Sequence, residues 1–251
     1  MRALCFALAM TSMALPITAH AAPTSIKASV AATASRGEAN VKLDAGRKPA
    51  EMLTFLGLRQ GMRVADMFGG NLYWAEIMAP VVGPKGRVSI WQPRQFYSQK
   101  TFDNYTAYKA KQPNVWLRVS PFEAPDLPAA SYDFMLINLD YHDVYWESAD
   151  RKIPRMDPDS WLKTLYAAMK PGAVVGVIDH AANPGDTRAT VEKLHRIDPE
   201  TVKADFKRAG FKLEAESKLL RNAADDHSLL VFDPKIRGAT DRFIFKFRKP
   251  R

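Results

Sequence analysis

Two short stretches of the sequence set imidazoles beside carboxylates: Asp140-Tyr141-His142-Asp143 and Asp179-His180. A histidine of near-neutral pKa accepts a proton from a hydroxyl or an amine. His142, Asp143 and His180 are therefore the candidate catalytic groups, with His195 and His227 further along the chain. Asp140, His142, Asp179 and His180 are also adequate ligands for zinc, manganese or iron, although no H-x-x-H-type spacing supports that use. Tyr141, Tyr145, Trp146 and Trp161 add aromatic surface nearby, suited to core or lid packing or to covering an apolar or aromatic acceptor.

A third stretch, "RVADMFGGNLYW" from Arg63 to Trp74, runs from an apolar strand through a turn into a helix. Gly69-Gly70 lets backbone approach a ligand with no Cβ in the way. Asp66 can tie the loop through its amides or meet a cationic ligand group through water. The helix that follows presents unpaired N–H groups.

Alternating elements must carry these residues. Apolar strands are expected at "RVADMF", "GRVSIWQ", "VWLRVS", "YDFMLINL" and "VVGVIDH". Helices are expected between them at "NLYWAEIMAPVVG", "QKTFDNYTAYKAKQ" and "DPDSWLKTLYAAMKPGA", after a first one starting at Pro49. A helix at "DPETVKADFKRAGF", capped near Asp198, precedes two strands, "KLEAESKLL" and "TDRFIFKFRK". This order predicts an α/β fold: a doubly wound, mostly parallel sheet with helices on both faces and an antiparallel C-terminal strand. In such a sheet ligands bind beyond the carboxyl ends of the strands, where strand order reverses. That edge gathers Asp66, Gly69, Gly70 and Tyr73, then Gln92, Phe122, Asn138, His142, Asp143 and His180.

The chain has 251 residues, 47% of them hydrophobic, enough for one sizeable core. Residues 1–21 read as a secretory signal: Arg2, an apolar run from Ala3 to Ile17, and the small-residue site Ala19-His20-Ala21. Cleavage is expected after Ala21, placing the protein in the periplasm or outside the cell, with residues 22–40 a flexible leader and 41–251 the domain. The single cysteine, Cys5, lies in the signal, so the mature chain is expected to have neither disulfides nor thiol chemistry. The formal charge of +9 falls to +8 without Arg2, and no nucleic-acid motif accompanies it. No later segment is apolar for long enough to form a stable membrane span.

The ordered elements, with "RVADMFGG", "SYDFMLINL" and "MKPGAVVGVID", resemble the class I S-adenosylmethionine-dependent methyltransferases from about Lys48 to Lys249. "RKPAEMLTFLGLRQGMRVADMF", "VGPKGRV", "HRIDPETVKADFKRAGF" and "TDRFIFKF" are similar to an exported branch of predicted bacterial methyltransferases. The resemblance implies S-adenosylmethionine as cofactor, held by Asp66, Gly69, Gly70, Tyr73, Gln92, Phe122 and Asn138. It also implies methyl transfer to a small or envelope-associated acceptor. Family glycines fall at Phe68, Gly70 and Leu72, so only Gly70 is kept, and Gln92 stands where the family has an acidic ribose ligand. Those departures leave open a non-catalytic ligand-binding module on the same scaffold. A metal-dependent enzyme built on the loops after strands four and five is a further alternative.

Overall fold

A computed structural model describes residues 24–251; the expected signal and its cleavage site lie outside them. The helices are α1 (Ile26–Ala31), α2 (Glu38–Val41), α3 (Asp44–Arg47), α4 (Pro49–Leu56), α5 (Tyr73–Val82), α6 (Gln99–Lys111), α7 (Pro158–Ala168), α8 (Thr187–Leu194) and α9 (Pro199–Arg208). The strands are β1 (Arg63–Met67), β2 (Arg87–Pro93), β3 (Val115–Ser120), β4 (Tyr132–Asn138), β5 (Met169–His180), β6 (Lys212–Ser217) and β7 (Arg242–Arg248).

The strands form one sheet in the order β3-β2-β1-β4-β5-β7-β6. The first five are parallel, and β7 runs antiparallel between β5 and β6. Apolar residues on both sides of each central strand produce this arrangement, because a parallel strand is covered on both faces. Along β1 and β4, Val64, Phe134 and Leu136 enter one core with α4 and α5. Ala65, Met67, Met135 and Ile137 enter the other with α7 and α9. Leu53 and Leu56 of α4 are fully buried in the first core; each contributes about 1.5–3 kcal/mol. Gly176 of β5 permits that approach, since a Cβ there would lie 2.5 Å from a Leu56 methyl. Asp157, Asp186 and Asp198 cap α7, α8 and α9 through their side chains.

The structure differs from the sequence reading in three places. Residues expected as a flexible leader hold α1 and α2, packed on α5. Ser29 donates to Ile77 O (2.8 Å), Gly37 N and Asn40 Nδ2 donate to Glu76, and Arg36 pairs with Asp44 through both guanidinium nitrogens (2.7 and 2.8 Å). Tertiary hydrogen bonds order a segment whose composition carries little helical signal. Secondly, α8 falls in a stretch with no expected element; it is polar and buries only Val191. Thirdly, β5 starts at Met169, where α7 was expected to continue through Lys-Pro-Gly. Tyr132 pairs with Met169 across a register shift, and Pro171 cannot extend a helix.

No helix among the described residues is long and apolar enough to cross a membrane.

Candidate active site

The strand order reverses between β1 and β4, and both flanking loops open on the carboxyl edge. The turn after β1 keeps a glycine-type backbone without the glycines. Phe68 has φ 58° and Leu72 φ 65°, both left-handed. A side chain costs roughly 1–2 kcal/mol at each. Phe68 offsets its cost by packing edge-on against Trp91 and Phe122, with ring centroids 5.1 and 5.2 Å away. Leu72 is buried in the α5 core.

Gly69 and Gly70 are required by side chains beneath them. A Cβ on Gly69 would sit 2.4 Å from Asp66 Oδ2, and one on Gly70 2.3 Å from Gln92 Oε1. Asp66 thus lies under the loop, fully buried, and neither carboxyl oxygen completes a hydrogen bond. Burial pushes its pKa up to about 8, outweighing the pull of Arg47 and of the Ala75 amide, so it is a neutral acid at pH 7. Gln92 is used within the protein: Oε1 accepts from Gly70 N (2.9 Å) and Nε2 donates to Phe96 O (3.3 Å).

Tyr73 and Phe122 do not face a ligand as expected. Tyr73 is fully buried; its hydroxyl donates to Asp44 Oδ1 (2.8 Å) and its ring lies under Arg47 (4.2 Å). Phe122 is enclosed by Phe68, Trp91, Phe96 and Trp161, and its carbonyl accepts from Trp161 Nε1. Packing draws both rings inward, Tyr73 after β1 into the core with α4 and α5 and Phe122 after β3 into the other. Asn138, at the end of β4, stays at the edge and is 9% exposed.

Beyond Asn138 the backbone kinks through left-handed Leu139 (φ 66°), held by its N–H to Ile178 O (2.8 Å). The kink brings residues 140–143 back over the end of β5. There Asp179, fully buried, accepts His142 N (2.9 Å), His142 Nδ1 (2.8 Å) and His180 N (2.8 Å). His142 Nε2 lies 3.4 Å from Asp143 Oδ1. Burial alone would lower the His142 pKa, but Asp179 and Asp143 outweigh it and push it up to about 9. His142 is therefore an imidazolium at neutral pH. Asp179 is held below the usual carboxylate range, because His142 outweighs its burial. His180, 6.0 Å away between ring centroids, is pushed down to about 3, first by burial. It is neutral, with Nδ1 on Thr240 Oγ1 (2.7 Å). His195 also faces His142 (5.6 Å), and burial lowers its pKa too. The structure thus brings His142, Asp143, Asp179, His180 and His195 together beyond β4 and β5. His227 stands apart, bonded to Asn183 and Asp241.

For the metal alternative, no three ligating groups converge among the described residues, and Asp179 is already engaged by His142 and His180.

Sequence reasoning missed Arg47. At the end of α3 it is half-buried, with its pKa lowered first by desolvation while Tyr73, Asp140 and Asp66 draw on it. Asp140 is raised well above the usual carboxylate range by burial and then by Asp143. Neither side chain forms a hydrogen bond or ion pair within the described residues. Nothing local in the sequence links Arg47 to Asp140; only the docking of α3 on α5 brings them to one cleft.

No protein-family model matches the sequence, and no curated protein matches it. Solved structures do. An S-adenosylmethionine-dependent methyltransferase from Aquifex aeolicus is 16% identical over 88% of this chain and 97% of its own, with TM-score 0.57. A sarcosine dimethylglycine methyltransferase from Galdieria sulphuraria, so assigned provisionally, is 14% identical over 84% of this chain and 88% of its own (TM-score 0.59). The [4+2]-cyclase SpnF is 15% identical over 91% of this chain and 97% of its own (TM-score 0.60). At these identities the likeness establishes architecture: the chain has the Rossmann-like fold of the class I methyltransferases, a scaffold that also carries a cyclase.

Proposed function

We propose that the protein binds S-adenosylmethionine at the β1–β4 cleft and transfers its methyl group to an acceptor at the histidine cluster. One observation carries this reading. The Arg47 guanidinium and the Asp140 carboxyl lie near one another, and neither has a hydrogen bond or ion pair among the described residues; Arg47 meets only the Tyr73 and Trp74 rings. A ligand with an ammonium and a carboxylate on one carbon would satisfy both, and the amino-acid end of S-adenosylmethionine has that form. The backbone at Gly69-Gly70 suits the close approach of the remainder. At the ribose end the fit is poorer, because Gln92 is turned to Gly70 and Phe96 and keeps only one lone pair and one N–H, with no charge, for a hydroxyl.

When bound, the cofactor supplies an electrophilic methyl: its carbon–sulfur bond breaks with the electron pair going to sulfur as an acceptor lone pair forms the new bond. The chain's own residues position the acceptor and take its proton. His142 is already charged and locked to Asp179, so the proton passes to a neutral imidazole beside it. A hydroxyl gaining a methyl becomes a strong acid, so a weakly basic imidazole suffices. The Gln92–Gly70 contact also favours a second reading, a non-catalytic ligand-binding module on the same scaffold. Calorimetric titration with S-adenosylhomocysteine tests the proposal. Binding by the parent, weakened at least about tenfold by Arg47→Ala, is expected. Equal affinity in the two proteins would refute the assignment.

We also propose export, from the sequence of residues 1–21. N-terminal sequencing of the periplasmic form should begin at Ala22, and a product with intact Met1 would refute it.

A further inference from the structure

At the amino ends of the parallel strands, the edge opposite the candidate active site, three cationic side chains line a cavity of about 340 Å³. Arg63 opens β1 and Arg87 opens β2. The two are register partners, so their charges stand on one face of neighbouring strands and repel. Lys85, in the turn between α5 and β2, adds a third positive charge. None of these side chains has a hydrogen bond or ion pair among the described residues, and no carboxylate lines the cavity. Asp133 accepts from the Arg63 amide (2.8 Å), but its other oxygen is held by Lys170 (2.7 Å).

The walls are fixed by the protein itself. The Arg87 guanidinium sits 3.8 Å from the centre of the Trp116 ring, which Lys109 also approaches (4.2 Å). Buried Asn114 pins the turn that carries Lys85, donating through Nδ2 to Ala79 O and Gly83 O (2.9 Å each). Gly86 N closes that turn on Gly83 O (3.0 Å). A Cβ on Gly86 would lie 2.5 Å from Val82 Cβ, so the turn packs without room to shift. Cations often gather where helices end, to meet unpaired carbonyls. Here those carbonyls are already met: Ala79 O by Asn114, Pro80 O by Thr24 N (3.2 Å) and Val82 O by Gly61 N (2.8 Å). The positive charges of Arg63, Lys85 and Arg87 are therefore left facing the cavity.

We infer that this cavity binds a ligand carrying two linked phosphate groups, with the guanidiniums of Arg63 and Arg87 and the ammonium of Lys85 as its partners. The charge of a diphosphate matches the three cations, guanidinium forks suit phosphate oxygens, and the volume is well above that of a single tetrahedral anion. Five residues of β1 separate the cavity from the Gly69-Gly70 turn, about 15 Å along the strand. The site is thus distinct from the methyl-transfer cleft and stands whether or not that reading holds.

The probe is inorganic pyrophosphate, titrated calorimetrically into the protein at fixed ionic strength, with sulfate as the single-tetrahedron control. Pyrophosphate should bind at least about tenfold more tightly than sulfate. Arg63→Gln and Arg87→Gln should each weaken it by about tenfold or more. Lys85→Gln, in an exposed turn, repeats the test should Arg87→Gln unfold through loss of its Trp116 contact. Lys207→Gln, which removes one exposed charge from α9, should leave pyrophosphate affinity within about twofold of the parent's. A parent that does not bind pyrophosphate, or binds both anions alike, overturns the proposal. So does an equal loss in Lys207→Gln, which would reduce the effect to net charge. Sedimentation with phosphatidylcholine vesicles, with and without cardiolipin, whose headgroup carries two phosphates, separates the sources of such a ligand. Pelleting that requires cardiolipin and is reversed by pyrophosphate assigns it to a lipid headgroup; pyrophosphate binding without pelleting assigns it to a soluble diphosphate.

Discussion

After β1 the chain turns its polar groups on itself: the Gly70 amide is held by Gln92, Gln92 by Phe96, and the Asp66 carboxyl is sealed beneath Gly69. After β4 and β5, on the same edge of the sheet, charge is concentrated and partly unanswered. Asp179 organises His142 and His180, while Asp143 Oδ1 and His195 Nδ1 are buried and complete no hydrogen bond, the former 3.4 Å from His142 Nε2. The first region holds a backbone shape at a cost, with Phe68 and Leu72 left-handed where glycine would be relaxed. The second holds a charge pattern. The contrast teaches that shape and chemistry are separated along one edge: the loop after β1 fixes a turn, and the loops after β4 and β5 gather the proton-handling groups.

The largest effect should fall on the histidine side. Asp179→Ala leaves the buried His142 imidazolium and two backbone amides unmatched, and should cost about 3–5 kcal/mol of stability in urea unfolding. A loss under about 1 kcal/mol would show that Asp179 is not the organiser of this region.

A pH dependence follows from the same pair. The His142 pKa is raised from its ordinary 6.5 to about 9, so its stabilisation is complete below about pH 6.5 and is lost as pH rises through about 9. That loss is on the order of 3 kcal/mol for a shift of this size. Unfolding free energies at pH 6, 7.5 and 9.5 should fall in that order, and His142→Asn should flatten the fall. An unchanged slope in the variant would assign the dependence elsewhere.

On the loop side, Gly70→Val sharpens the contrast because it should act on binding more than on stability. Its Cβ displaces Gln92 from the Gly70 amide and enters the turn. Affinity for S-adenosylhomocysteine should drop by about a hundredfold or more, with a stability loss near 1 kcal/mol, the net worth of one hydrogen bond. Parent-like affinity would place the ligand away from this turn.

The fold was legible in the sequence because parallel strands buried on both faces leave short apolar runs, and Asp157, Asp198 and Gly210 mark helix limits. The His142–Asp179–His180 cluster was legible too, since the topology places the ends of β4 and β5 side by side. Arg47 was not, because its role depends on α1–α3 docking through single contacts such as Ser29 to Ile77. Nor was the inward turn of Tyr73 and Phe122, because sequence position places a residue at the edge and packing decides which way a large ring points. His195 gave no signal beyond its type; its place 5.6 Å from the His142 ring exists only in three dimensions.

The central claim is that the loop after β1 is still a cofactor loop, weakened chiefly at Gln92. Gln92→Glu tests it most directly. A carboxylate there keeps an acceptor for Gly70 N, gives up the contact with Phe96 O, and offers a charged oxygen to ribose hydroxyls. Calorimetric titration of parent and variant with S-adenosylhomocysteine should show measurable weak binding in the parent, tightened about ten- to a hundredfold in the variant, since a charge-assisted hydrogen bond contributes about 1.5–3 kcal/mol. No detectable binding in the parent and none gained in the variant would contradict the account and favour a scaffold that has left methyl transfer behind.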